Sequence, residues 1–185
     1  QQLAFTPLLK SGDHFVASSK LYGGSKNQFD KTFRQFGWDC SFVNPDNIKN
    51  FEEAINERTK FIFIETLSNP DGSIVDIEKV GLLAKENHLP LVVDNTLASP
   101  YLHNPIDWGA NIITHSLTKF IGGHGNSMGG IVVDCGNFDF NKDNRYPNLT
   151  EPSLSYNGIK FAETFGSFGY AMKMKADTLR DLGCT

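Results

Sequence analysis

The sequence predicts a three-layer α/β/α domain with a mainly parallel sheet, and three observations carry that prediction. Short apolar, β-branched runs alternate with longer amphipathic ones, the rhythm of strands laid parallel beneath helices on both faces. Two runs, Phe61-Ile62-Phe63-Ile64 and Leu91-Val92-Val93, are apolar without a break, as strands buried on both faces are. Polar residues gather where predicted strands end, the edge at which open α/β sheets take ligands.

The strand candidates are residues 14–18, 40–43, 61–65, 91–94, 111–115 and 130–134. Helices are expected between them. Residues 46–57 form one, with Asp46 as its N-cap. Residues 76–88 form another, capped by Asp76, with Ile77, Val80 and Ala84 on one face; Pro90 then restarts the chain as a strand. Gln1-Gln2-Leu3-Ala4-Phe5 reads like the middle of a helix, so the chain is expected to begin inside an element of a longer protein. Residues 136–153 are polar and rich in Pro and Asn, a loop. Residues 155–182 look largely helical, with a break near Gly166–Gly169. No internal repeat or low-complexity segment interrupts this order.

At 185 residues the chain is long enough for one domain with a real core. Its 17 basic and 21 acidic residues leave a net charge of −4, and no Lys/Arg cluster points to nucleic acid. No apolar run approaches the roughly 20 residues that cross a membrane, and the start lacks the positive region of a signal peptide. Cys40, Cys135 and Cys184 lie far apart without metal spacing and fit reduced thiols in the cytoplasm. The Asn148-Leu149-Thr150 sequon is a chance match in that setting. The five histidines form no ligand motif, so no metal is expected.

The most informative stretch is Ser116-Leu117-Thr118-Lys119, followed by Phe120-Ile121-Gly122-Gly123-His124-Gly125. A lysine in an uncharged, glycine-rich setting suits an amine that condenses with an aldehyde beside a bound phosphate. Ser and Thr hydroxyls with backbone N–H groups can hold that phosphate. Three other clusters sit after predicted strands: Lys20-Leu21-Tyr22-Gly23-Gly24-Ser25, Glu65-Thr66-Leu67-Ser68-Asn69-Pro70 and Asp94-Asn95-Thr96. Taken singly, each has a plainer reading. Lys119 fits an exposed loop, Asp94 a cap or turn former, Asn69-Pro70 a turn, Tyr22 a packed loop aromatic, and His124 a structural role.

Together the clusters resemble one family. The order Tyr-Gly-Gly, Glu-Thr-x-x-Asn-Pro, Val-Val-Asp-Asn-Thr, Ser-x-Thr-Lys is similar to that of the pyridoxal-phosphate enzymes of cysteine and methionine metabolism. These are fold-type I enzymes, and the resemblance covers nearly all of residues 1–185. It implies that the chain is the pyridoxal-phosphate-binding core of their large, catalytic domain, with pyridoxal 5'-phosphate as cofactor. It implies that Lys119 carries the cofactor and then moves protons at the substrate's α and β carbons. Asp94 would pair with the pyridine nitrogen, keeping the ring an electron sink. Asn69 would bond the phenolic oxygen, and Tyr22 would stack on the ring and assist proton transfer. Ser116 and Thr118 would bind the phosphate, and Thr96 would lie behind the ring.

The segment from Glu151-Pro152-Ser153-Leu154-Ser155-Tyr156-Asn157-Gly158 to Leu179-Arg180-Asp181-Leu182-Gly183 resembles the insertion of O-acetylhomoserine sulfhydrylases. Asn157 stands where those enzymes have histidine. The resemblance therefore implies γ-replacement in methionine biosynthesis: O-acetylhomoserine and sulfide, or a thiol, give homocysteine, or methionine, and acetate. Cystathionine γ-synthase, cystathionine lyase and methionine γ-lyase are the alternatives within the family. The family also has an N-terminal Tyr/Arg pair that reaches a neighbouring subunit's phosphate, and a C-terminal domain with an arginine for the substrate carboxylate. Neither is in this chain, so the enzyme is expected to be a homodimer or homotetramer with shared active sites. A nucleotide-binding α/β module is the rival of a different class, but no glycine-rich phosphate fingerprint follows a strand. An inert remnant of the fold is another, and an intact Tyr22, Asn69, Asp94 and Lys119 set opposes it.

Overall fold

The computed structural model describes residues 1–183; Cys184 lies outside the described residues. Six strands form one sheet: β1 (His14–Ser18), β2 (Asp39–Val43), β3 (Thr59–Glu65), β4 (Leu91–Asp94), β5 (Ile112–Ser116) and β6 (Gly130–Asp134). Their order is β2-β1-β3-β4-β5-β6. The first five run parallel, and β6 pairs antiparallel with β5, setting Ile113 opposite Val133. All six sequence candidates are present, with ends shifted by at most two residues.

Because side chains alternate across a strand, β3 sends Phe61 and Phe63 to one face and Ile62 and Ile64 to the other. On the first face Phe5, Phe15, Phe29, Phe33, Phe61 and Phe63 are fully buried. Their rings pack at centroid distances such as 4.5 Å for Phe5–Phe61 and 4.7 Å for Phe15–Phe61. Such pairs contribute roughly 0.5–1.5 kcal/mol beyond area burial. Helix α1 (Gln2–Phe5) and the C-terminal helices cover this face. On the second face α3 (Ile48–Ala54) and α4 (Ile77–Glu86) pack on Val16, Ile62, Ile64, Leu91, Val93 and Ile113. The result is the three-layer arrangement that the alternation predicts.

Helix α4 starts as its sequence indicates. The Asp76 carboxylate accepts the Lys79 backbone N–H at 3.1 Å, and Ile77, Val80 and Ala84 are buried. Helix α3 departs from expectation. Its cap is Asn47, whose side chain accepts the Lys49 N–H at 3.1 Å. Asp46 instead holds the Lys20 ammonium at 2.8 Å, because a free cation competes better for a carboxylate than a backbone N–H does.

The helix expected between the first two strands, for which no bounds were legible in the sequence, runs from Gly23 to Phe36. Helix α2 (Gly23–Asn27) continues through Gln28–Thr32 and Phe33–Phe36. Its Gly-Gly start signals a turn, but Phe29 and Phe33 bury a helical face. The segment 136–153 is likewise more than a loop. It holds short helices at Lys142–Asn144 and Pro147–Thr150. The buried Tyr146 hydroxyl donates to the Lys60 carbonyl at 2.9 Å. The Asn148 amide donates to the Thr6 and Leu9 carbonyls, both at 3.1 Å. The expected C-terminal break falls at Gly166, whose φ of 55° ends the Phe161–Phe165 helix.

No helix among the described residues is long and apolar enough to cross a membrane. Cys40 and Cys135 are free thiols, and burial holds both above the usual thiol range.

Candidate active site

Strands β1, β3, β4 and β5 end at one edge of the sheet, and the chain leaving each end carries one of the polar clusters. Between them lies a cleft of about 1290 Å³. Tyr22, Asn69, Asp94, Thr96, Ser116, Thr118 and Lys119 all line it, so the structure brings every candidate residue to one place.

The floor is a row set by strand register. Glu65 pairs with Asp94, and Asp94 with Thr114. By alternation from Phe63, Val92 and Ile112, these three side chains face the aromatic side of the sheet. Asp94 is half-buried, and its Oδ1 accepts the Thr96 N–H at 3.0 Å. The Thr96 hydroxyl in turn accepts the Ser116 N–H at 2.8 Å, which ties the end of β4 to the end of β5. The Thr114 hydroxyl is buried and has no hydrogen-bond partner among the described residues.

Above the floor, Tyr22 is 53 % exposed at the N-cap of α2. Gly24 lets the ring lie where it does, since a Cβ at that position would sit 2.4 Å from Tyr22 Cε1. Lys119 is exposed to the cleft, within the turn Leu117–Ile121 and at a backbone break of φ −90° and ψ −124°. The Thr118 hydroxyl donates to the Gly129 carbonyl at 3.3 Å and accepts the Gly129 N–H at 3.0 Å. The Ser116 hydroxyl makes no hydrogen bond among the described residues.

Sequence reasoning passed over Glu65. It is 5 % exposed, and its two oxygens accept the backbone N–H of Tyr22 at 2.8 Å and of Asn69 at 3.2 Å. Burial pushes its carboxyl up to about 7, against the two N–H donors and with Asp94 adding to the rise. The signal was available. Like Asp94, Glu65 is an acid ending an unbroken apolar strand, and such an acid needs partners.

This is an α/β domain of the class that takes its ligand at the carboxyl edge of a parallel sheet. The match to the family described as Cys/Met metabolism PLP-dependent enzyme spans residues 1–167, and the chain belongs to that family. It is 44% identical over 191 residues to an O-acetyl-L-homoserine sulfhydrylase of Leptospira meyeri, covering 99% of this chain and 43% of that protein. It is 43% identical to a homocysteine/cysteine synthase of Saccharomyces cerevisiae, covering 99% and 42%. Among solved structures it superposes with TM-score 0.93 and 33% identity on an O-acetylhomoserine (thiol)-lyase from Campylobacter jejuni that contains N'-pyridoxyl-lysine-5'-monophosphate. That match covers 100% of this chain and 46% of the other. The chain thus spans less than half the length of the curated relatives it matches.

The donor set fits the family's cofactor. A phosphorylated pyridine aldehyde needs a carboxylate for its ring nitrogen, a planar partner, hydroxyls and an amine. The cleft offers Asp94, Tyr22, Ser116 and Thr118, and Lys119, with the partnerless Thr114 hydroxyl at its floor.

Proposed function

We propose that this chain is the cofactor-binding core of an enzyme that converts O-acetylhomoserine and sulfide into homocysteine and acetate. The carrying observation is the convergence of Tyr22, Asn69, Asp94 and Lys119 on one cleft in a chain about 44% identical to named sulfhydrylases. When bound, pyridoxal phosphate supplies an electron sink for charge developing at the substrate's α carbon. Lys119 would hold the cofactor through its ε-amine, and the same amine would serve as the acid/base at the substrate's α and β carbons. Asp94 pairs with the pyridine nitrogen and keeps it protonated. Asn69 hydrogen-bonds the phenolic oxygen, Tyr22 covers the ring, and Ser116 and Thr118 bind the phosphate. Thr96 acts from behind, holding Asp94 and Ser116 in register through its two hydrogen bonds.

The chain forms the large-domain core of a longer enzyme, which works in the cytoplasm as a homodimer or homotetramer with shared active sites. Free thiols without pairing are consistent with that compartment. The test is to supply the enzyme with O-acetylhomoserine and sulfide, beside cystathionine, cysteine and methionine. Homocysteine formation should exceed breakdown of any control. Faster release of ammonia from cystathionine or methionine would instead assign a lyase of the same family. Borohydride reduction of the loaded enzyme should leave the phosphopyridoxyl label on the peptide holding Lys119.

A further inference from the structure

We propose that Glu65 is a positioning residue for the cofactor site, one carboxylate that fixes both the covering ring of Tyr22 and the amide of Asn69. The inference rests on the reading of this cleft as a pyridoxal-phosphate site. Tyr22 and Asn69 belong to different loops, one after β1 and one after β3, and nothing in the chain's course sets their spacing. Glu65 does. It stands at the end of a buried strand, and each of its oxygens takes one backbone N–H, at 2.8 and 3.2 Å. Among the described residues neither N–H has another acceptor. The backbone anchor of the ring and that of the amide are therefore two ends of one side chain.

The chemistry makes a carboxylate specific for this task. A carboxylate accepts at both oxygens, whereas a glutamine amide accepts at one and donates at the other. Glutamine has the same shape and would turn an NH2 group toward one of the two N–H groups. A purely space-filling residue would tolerate that exchange. A two-sided clamp would not. Aspartate, one methylene shorter, cannot reach both loops from the same strand position.

The experiment compares wild type with Glu65→Gln and Glu65→Ala at pH 8. Three quantities are read: pyridoxal-phosphate affinity by equilibrium dialysis, the induced circular dichroism of the bound cofactor, and the melting temperature without cofactor. We expect Glu65→Gln to bind at least about tenfold more weakly, since one buried N–H loses its acceptor. The induced dichroism should fall, reporting a ring no longer held at a fixed angle, while the melting temperature stays at or above wild type. Glu65→Gln with unchanged affinity and dichroism overturns the inference. So does a loss of affinity that merely follows a lowered melting temperature in both variants, for then Glu65 only supports the fold. Wild type that takes up no pyridoxal phosphate overturns the parent reading, and is recognisable because it needs no variant.

Discussion

Glu65 and Asp94 are neighbouring acids at the ends of adjacent strands, yet their surroundings differ. Both line the cleft, but Asp94 is half-buried, while Glu65 is buried with its oxygens on the backbone N–H groups of Tyr22 and Asn69. Burial raises the Glu65 carboxyl to about 7, from an ordinary value of 4.5. The sign of the consequence follows. The folded chain binds this proton more tightly than the unfolded chain, so ionising Glu65 lowers stability as pH rises. The loss begins near the ordinary value and is complete above about 7. The cost is on the order of 3 kcal/mol, at about 1.36 kcal/mol per tenfold in proton affinity. The two-sided clamp requires the ionised form, so the site is held in order at the expense of fold stability. We predict that the stability difference between wild type and Glu65→Gln, from urea unfolding without cofactor, shifts toward the variant by about that amount between pH 5 and pH 8. A difference independent of pH would show that Glu65 titrates as an ordinary exposed acid.

At the scale of elements, the site depends on how α2 presents Tyr22. Phe29, in the helical stretch that follows, is fully buried against Phe5 and Phe63, with centroids 5.4 and 5.1 Å away, and anchors that stretch to the sheet. Gly24, one turn earlier, leaves room for the Tyr22 ring. Gly24→Ala should therefore push the ring aside without unfolding the domain. We expect its cofactor affinity to fall as far as that of Tyr22→Ala, and combining the two changes to cost little more than either alone. Additive losses in the double mutant would show that Gly24 acts elsewhere. The strands were legible because β3 and β4 are unbroken apolar runs, a pattern that few other structures produce. The start of α3 was not, because Asp46 and Asn47 are both good caps and only the position of Lys20 in space decides between them. The bounds of the α2 stretch were hidden by Gly23-Gly24, which local propensity reads as a turn while Phe29 and Phe33 make it a helix by tertiary burial. Of the site, the residues with chemically odd settings were visible. The hydrogen bonds from Tyr22 to Glu65, Ser116 to Thr96 and Gly129 to Thr118 were not, since they join residues 43, 20 and 11 positions apart.

For the molecule as a whole, charge decides what the site can hold. The cleft is lined by two carboxylates, Glu65 and Asp94, and Lys119 is the only lysine or arginine among the described lining residues. A bound cofactor phosphate would carry about −1.5 to −2 at neutral pH, more than the single charge of Lys119 could offset. Hydroxyls and backbone N–H groups can orient that phosphate, but an ion in a closed site without a counter-charge costs several kcal/mol. Under the proposed shared-site reading, a cation supplied from a neighbouring subunit would resolve the imbalance and link cofactor affinity to assembly by mass action. We predict that affinity for pyridoxal phosphate weakens at least about tenfold when the enzyme is diluted until its subunits separate. Sedimentation would locate that concentration, and cofactor fluorescence would report occupancy across it. Added cofactor should in turn shift the association to lower protein concentration, because the coupling is reciprocal. A dissociated monomer that binds as tightly as the assembly would mean that the counter-charge comes from the same chain.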